Sequence, residues 1–228
     1  MIIDVENYAT SHWTSFFKTI SDISKSDKDV SLVISDKEIL CFDDIVAAYF
    51  DEDKKPASAD GLTFSGKSIN LIEFKTGFKK LITKANYRLE EVTCEKHKGE
   101  ICEDYGDLLL RYHSSNKKIL MDSLKMKAIE SYIFLDKQII PLCHNSGCER
   151  SKKLNYVVVI DGDDVESMED ILSSVTDLGG SADNYYSDIR KSLSRFLNNI
   201  DASGNPYYYD DIVVLSSTDF KNELELYA

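Results

Sequence analysis

Apolar positions in this chain switch between helical and alternating spacing, and each switch marks an element. In residues 8–23, Trp13, Phe16, Phe17 and Ile20 recur at helical intervals until the polar run Ser24-Lys25-Ser26-Asp27-Lys28-Asp29, so a first helix is predicted there. Residues 30–35 alternate as a short strand. Helical spacing returns over residues 42–51, with Ile45, Val46, Tyr49 and Phe50 inward. A β-hairpin follows. Leu62 and Phe64 lead into Ser65-Gly66-Lys67-Ser68, a polar turn whose glycine tolerates positive φ, and Ile69, Leu71, Ile72 and Phe74 resume a β-rich run.

Residues 76–103 mix a short apolar stretch with dense charge and read as an insertion, or as a helix with a long loop. Residues 108–135 are helical in pattern, with an interruption expected at Ser114-Ser115-Asn116, where short polar side chains compete for backbone partners. Beyond it the expected buried stripe is Ile119, Leu120, Leu124, Met126, Ile129, Tyr132 and Ile133, with Lys118, Lys125 and Lys127 bordering it. Val157-Val158-Val159-Ile160 suits a central strand covered on both faces, as does Ile212-Val213-Val214-Leu215. Between them, residues 167–178 and 185–198 read as amphipathic helices separated by Gly179-Gly180, and residues 220–227 close the chain. This order predicts a single α/β domain over residues 1–228, with a mixed central sheet flanked by helices, an N-terminal helix and an extension over 161–228.

The hairpin also carries chemistry. Glu73 and Lys75 lie two apart on one strand and leave the same face, while Asp60 stands at the open end of the partner strand. Two carboxylates converging beside an ammonium suit a hard divalent cation, although Glu73 and Lys75 on a solvated edge strand would also simply pair. Asp60 followed by Glu73-Phe74-Lys75 resembles the PD-(D/E)XK nuclease superfamily, with Ala59 in place of the proline of the family name. The resemblance covers about residues 38–160 in the order of elements. It implies a restriction-endonuclease-like core and a nuclease that hydrolyses phosphodiester bonds in DNA or RNA. Asp60, Glu73 and the Phe74 backbone carbonyl would then hold Mg²⁺ or Mn²⁺, and Lys75 would orient a water or stabilise charge on the phosphate. Lys118 and Lys125 would contact phosphates. One further acidic ligand would come from the preceding segment, with Glu38, Asp43 and Asp44 as candidates; Asp43 and Asp44 also lie in a first helical turn, where the dipole favours carboxylates.

Charge qualifies that reading. The net charge of −13 weighs against a general nucleic-acid binder. Residues 75–127, however, hold 12 basic and 8 acidic side chains, whereas residues 151–228 hold 6 basic and 15 acidic. The acidic last third, with Tyr207-Tyr208-Tyr209 before Asp210-Asp211, supports an alternative: a non-catalytic protein, such as a phage- or defence-associated regulator, binding a basic protein partner. Gly61 to Ser68 matches the phosphate-loop expression G-x4-G-K-S. Its surroundings predict a strand on the far side where a nucleotide site needs a helix, so the hairpin is preferred. Asp161-Gly162-Asp163-Asp164 lacks the spacing of a calcium loop and is left as a strand-end turn. Cys94, His97 and Cys102, and Cys143, His144 and Cys148, lack zinc-pair spacing, so free thiols are expected and metal binding stays open should two loops meet. The N-terminus has acidic residues where a signal peptide has positive charge, and no long apolar run occurs. A cytoplasmic protein away from membranes is expected, with its oligomeric state open.

Overall fold

The computed structural model describes residues 5–26, 28–66, 68–77, 93–94, 99–100, 103–143, 152–161, 182–202, 204 and 206–228. Their strands are β1 (Phe17–Thr19), β2 (Glu38–Cys41), β3 (Gly61–Ser65), β4 (Ser68–Lys75), β5 (Thr93–Cys94), β6 (Gly99–Glu100), β7 (Lys153–Ile160) and β8 (Asp211–Ser216). β5 and β6 pair only with each other; the rest form one sheet in the order β1-β2-β3-β4-β7-β8. The first four are antiparallel neighbours, and β4, β7 and β8 run parallel. The expected mixed sheet is present. β4 and β7 lie at its centre, and both of their faces are covered, which is why their sequences are nearly continuous in apolar residues.

The helices are α1 (Val5–His12), α2 (Ile20–Ile23), α3 (Phe42–Tyr49), α4 (Glu103–Phe134), α5 (Ile140–Cys143), α6 (Ala182–Leu197), α7 (Ser217–Asn222) and α8 (Leu224–Tyr227). On one face, Leu71, Tyr156 and Val158 of the sheet meet residues of α1, α3, α4 and α6, among them Phe42, Leu124 and Leu193. On the other, Ile72, Phe74, Val157 and Val159 meet Ile20 of α2 and Phe220 of α7. Among the described residues, no helix is long and apolar enough to cross a membrane.

Three expectations from the spacing of residues are corrected. The first helix stops at His12; a 3₁₀ turn follows, and Phe17–Thr19 becomes an edge strand paired with β2. Pairing along the sheet edge outweighs the helical spacing of the aromatics, and Trp13 and Ile20 end on opposite faces of the sheet. Residues 30–35 form no strand beyond one bridge from Ser31 to Lys25. Serine side chains take the place of a ladder there: the Ser24 hydroxyl accepts from Val33 N–H at 3.1 Å, and that of Ser21 accepts from Ser35 N–H at 2.8 Å.

Helix α4, in turn, runs unbroken through residues 114–116. A few tenths of a kcal/mol per weak helix former, about 0.5 each, is less than the cost of ending one helix and nucleating another. Its buried face is also rotated from the expected one: Ile119, Met126 and Ile133, seven apart, are exposed, while Met121, Leu124, Ala128 and Ser131 face the sheet. Two buried tyrosines fix that rotation. Tyr156 donates to the Leu124 carbonyl at 3.5 Å, and Tyr209 donates to the Ala128 carbonyl at 2.6 Å. Tyr209 is therefore core, and of its run only Tyr207 is largely exposed. After Phe134 the helix widens into a π turn, Leu135–Ile139, in which Ile140 N–H donates to the Leu135 carbonyl. Pro141, lacking an N–H, sits just beyond it. Phe134 itself packs edge-on against Phe42 and Tyr49, tying the end of α4 to α3.

Candidate active site

Strand alternation puts Leu71, Glu73 and Lys75 on the α4 side of β4. β3 starts at Gly61, which pairs with Ile72, so the last residues of β4 extend past their antiparallel neighbour. The Asp60 side chain takes over at that point. Its Oδ2 accepts from Phe74 N–H at 2.7 Å, and its own backbone bonds to Ile72 and Phe42. The N–H and C=O of one strand residue leave on the same side, so the Phe74 carbonyl is directed to the edge that Asp60 occupies. Gly61 packs closely against β2, since a Cβ there would lie 2.8 Å from Ile39 Cδ1. The tight hairpin, with Gly66 at φ 50° between Ser65 and Ser68 as paired neighbours, also rules out the phosphate-loop reading.

Asp60, Glu73 and Lys75 do converge, and a fourth group joins them. Lys75 Nζ lies 2.8 Å from Glu73 Oε1. Lys127 Nζ, from α4, lies 2.8 Å from the same oxygen and 3.4 Å from Asp60 Oδ1, bridging the two carboxylates. The Glu73 side chain is 0 % exposed, while those of Asp60, Lys75 and Lys127 are 23–25 % exposed. The glutamate thus forms the floor of a site whose other members reach solvent. Glu73 Oε2 is buried with no hydrogen-bond partner among the described residues.

Burial dominates the electrostatics here. It raises the Glu73 carboxyl to about 7; nearby Asp60 pushes the same way, and Lys75 and Lys127 pull against them. Burial also raises Asp60, opposed by Lys127 and by the Phe74 N–H. For Lys127, burial favours loss of its proton, but Glu73 and Asp60 outweigh it and hold the ammonium charged well above its ordinary range.

The candidates for a further acid separate clearly. Glu38, exposed on β2 opposite Thr19, and Asp44, paired with Lys18 at 2.5 Å, both lie at the β1 edge. Asp43 lies closer. Burial pushes its carboxyl up, but Lys55 at 2.6 Å, the Ser58 hydroxyl and the charge of Lys127 together hold it below the usual range. Among the described residues, no group of three acids, histidines or cysteines is placed to hold a metal ion. Of the two cysteine and histidine clusters, no side chain lies within the described residues.

Lys118 and Lys125 do not reach the carboxylates. Lys118 is exposed, and Lys125 pairs with Asp122 at 3.3 Å and lies over the Phe196 ring of α6. Two residues along a helix is about 200° of rotation, so Lys127 faces away from Lys125 and into the site. One turn on, Ser131 Oγ accepts from Ala59 N–H at 2.8 Å, and Glu130 accepts from Ala57 N–H. The loop carrying Asp60 is therefore fastened to α4. A proline at position 59 would have no N–H to donate to Ser131. Ala59→Pro is expected to lose about 1–3 kcal/mol in urea unfolding by deleting this buried bond; an unchanged midpoint would show that Ser131 contributes nothing to holding the loop. No protein-family model, curated protein or solved structure matches the chain.

Proposed function

We propose that this protein is a metal-dependent nuclease of the restriction-endonuclease-like kind, cutting phosphodiester bonds in DNA or RNA. The observation that carries the reading is a glutamate buried in a strand, with Oε2 unpartnered among the described residues, beside a second carboxylate and two ammonium groups. A buried anion without full compensation costs stability, and a carboxyl perturbed by burial beside specific charge partners is a functional-site candidate. Asp60 Oδ1, Glu73 Oε2 and the Phe74 carbonyl are hard oxygens, and as a donor set they fit Mg²⁺ or Mn²⁺. Such an ion, when bound, polarises the scissile phosphate and makes a bound water more acidic. Asp60 is held for this task by Phe74 N–H, which fixes one oxygen and leaves the other to the site. Lys75, a quarter exposed at the mouth, holds a water or the phosphate oxygens as negative charge grows there.

The test has two arms. Mn²⁺ titration by calorimetry should show binding that Asp60→Ala and Glu73→Ala each weaken. In a cleavage assay with Mn²⁺, Lys75→Ala should lose at least ~10²-fold in rate while folding normally, the usual cost of removing one group that stabilises transition-state charge. Undiminished Mn²⁺ binding in both carboxylate variants would dismiss the site. One observation favours the second reading, a non-catalytic protein on the same fold that binds a basic protein partner: Lys75 and Lys127 together already balance the charge of the acid pair. Failure of the wild type to bind Mn²⁺ would favour that reading.

A further inference from the structure

Resting on the metal-site reading, we propose that Lys127 is a tethered cation that competes with the divalent ion for Asp60 and Glu73, so that metal is held tightly only together with a phosphodiester. Its ammonium bridges the two carboxylates, 3.4 Å from Asp60 Oδ1 and 2.8 Å from Glu73 Oε1, and so lies against both groups that would hold a metal and on the very Asp60 oxygen left to it. Both lysines fall on Glu73 Oε1, while Oε2 is buried with no hydrogen-bond partner among the described residues, so an ion that is to reach Glu73 from solvent meets the ammonium groups first.

Charge gives the reason for coupling to substrate. Two carboxylates and two ammonium groups cancel, so a dication entering alone leaves the enclosed site doubly positive, which a low-dielectric setting penalises. A phosphodiester and the hydroxide that attacks it carry the two negative charges that restore balance. The released ammonium has somewhere to go: Lys127 is about a quarter exposed, and its field already acts on Asp43, which sits beside Lys55 and Ser58. The next turn of α4 carries Ser131 and Glu130, whose bonds to the Asp60 loop keep the carboxylate in place while the lysine moves.

The experiment measures free Mn²⁺ by electron paramagnetic resonance at pH 8, with wild type, Lys127→Met and Lys127→Arg. Methionine keeps much of the stem's volume without its charge. Without nucleic acid, Lys127→Met should bind Mn²⁺ at least ~10-fold more tightly than wild type, since one positive charge about 4 Å from a cation opposes it strongly near a protein surface. Lys127→Arg should match wild type. A cleavage-resistant phosphorothioate oligonucleotide should tighten Mn²⁺ at least ~10-fold for wild type and far less for Lys127→Met. Equal or weaker Mn²⁺ binding by Lys127→Met overturns this proposal alone, and Mn²⁺ binding by neither protein overturns the metal site with it. Should Lys127→Met fail to fold, ¹⁵N-lysine spectra of the wild type decide: the ammonium signal absent from Lys127→Arg should shift and lose protection from exchange as Mg²⁺ saturates. An unchanged signal would overturn the proposal.

Discussion

Lys127→Met will lose about 3 kcal/mol of stability at pH 8 and less than about 1 kcal/mol at pH 5. At pH 8 the substitution takes from Glu73, on the floor of the site, one of the two ammonium groups that favour its ionised form and leaves it Lys75 alone. The carboxyl of Glu73 is raised to about 7 in the folded protein, against 4.5 in the open chain. The folded state therefore binds the extra proton between those values. The stability this group contributes is full below about pH 4.5 and is lost as pH rises through about 7. At pH 5 the glutamate is protonated and needs Lys127 little. Urea unfolding at the two pH values measures the difference; equal losses would mean that the lysine contributes only the packing of its stem.

Glu73→Gln gives the second large effect, and it separates function from stability. Cleavage with Mn²⁺ should fall by at least ~10³-fold, since stabilisation of phosphate charge by a bound ion is worth several kcal/mol and each 1.36 kcal/mol is tenfold in rate. Stability at pH 8, by contrast, should equal or exceed that of wild type, because the neutral amide avoids ionising a wholly buried group. A rate within tenfold of wild type would remove Glu73 from the chemistry. A variant inactive because it has unfolded would show itself in the same urea titration.

The pH dependence of any metal effect follows from the same group. A cation needs Glu73 ionised, so the rise in melting temperature caused by Mg²⁺ should grow from pH 5.5 to pH 8. A constant rise across that range would place the ion elsewhere.

Asp60, Glu73 and Lys75 were legible in the sequence because strand alternation fixes which side chains share a face, and a two-residue hairpin fixes which strand ends meet. The α/β class was legible for a similar reason: β4 and β7 are covered on both faces and show it as apolar runs. Lys127 was not singled out, since its partners are 54 and 67 residues away and nothing local brings them together. One signal did exist. Lys127 is three residues after Leu124 and four before Ser131, so it lies within the buried stripe itself, where an unpartnered lysine would be costly. The expected stripe was turned toward Ile119, Met126 and Ile133, and on that turn Lys125 looked as well placed as Lys127. The rotation is set by Tyr156 and Tyr209 gripping the Leu124 and Ala128 carbonyls, contacts across the fold that helical periodicity does not encode. Edge pairing of Phe17–Thr19 and the serine-supported loop after Ser24 were missed for the same kind of reason, because partners distant in the chain chose the conformation.

The π turn over Leu135–Ile139 has a bearing on how this helix tolerates changes of length. It holds one residue more than an α-turn needs, and it lies after Lys127, Glu130 and Ser131. A residue lost inside it can be absorbed by closing the turn to ordinary α geometry, leaving the angular phase of all three side chains untouched. A residue lost between Leu124 and Lys127 has no such slack, and swings the ammonium by about 100° relative to the Leu124 carbonyl that Tyr156 grips. A lost residue is therefore expected to be tolerated on one side of the site, in the turn beside Pro141, and not on the other.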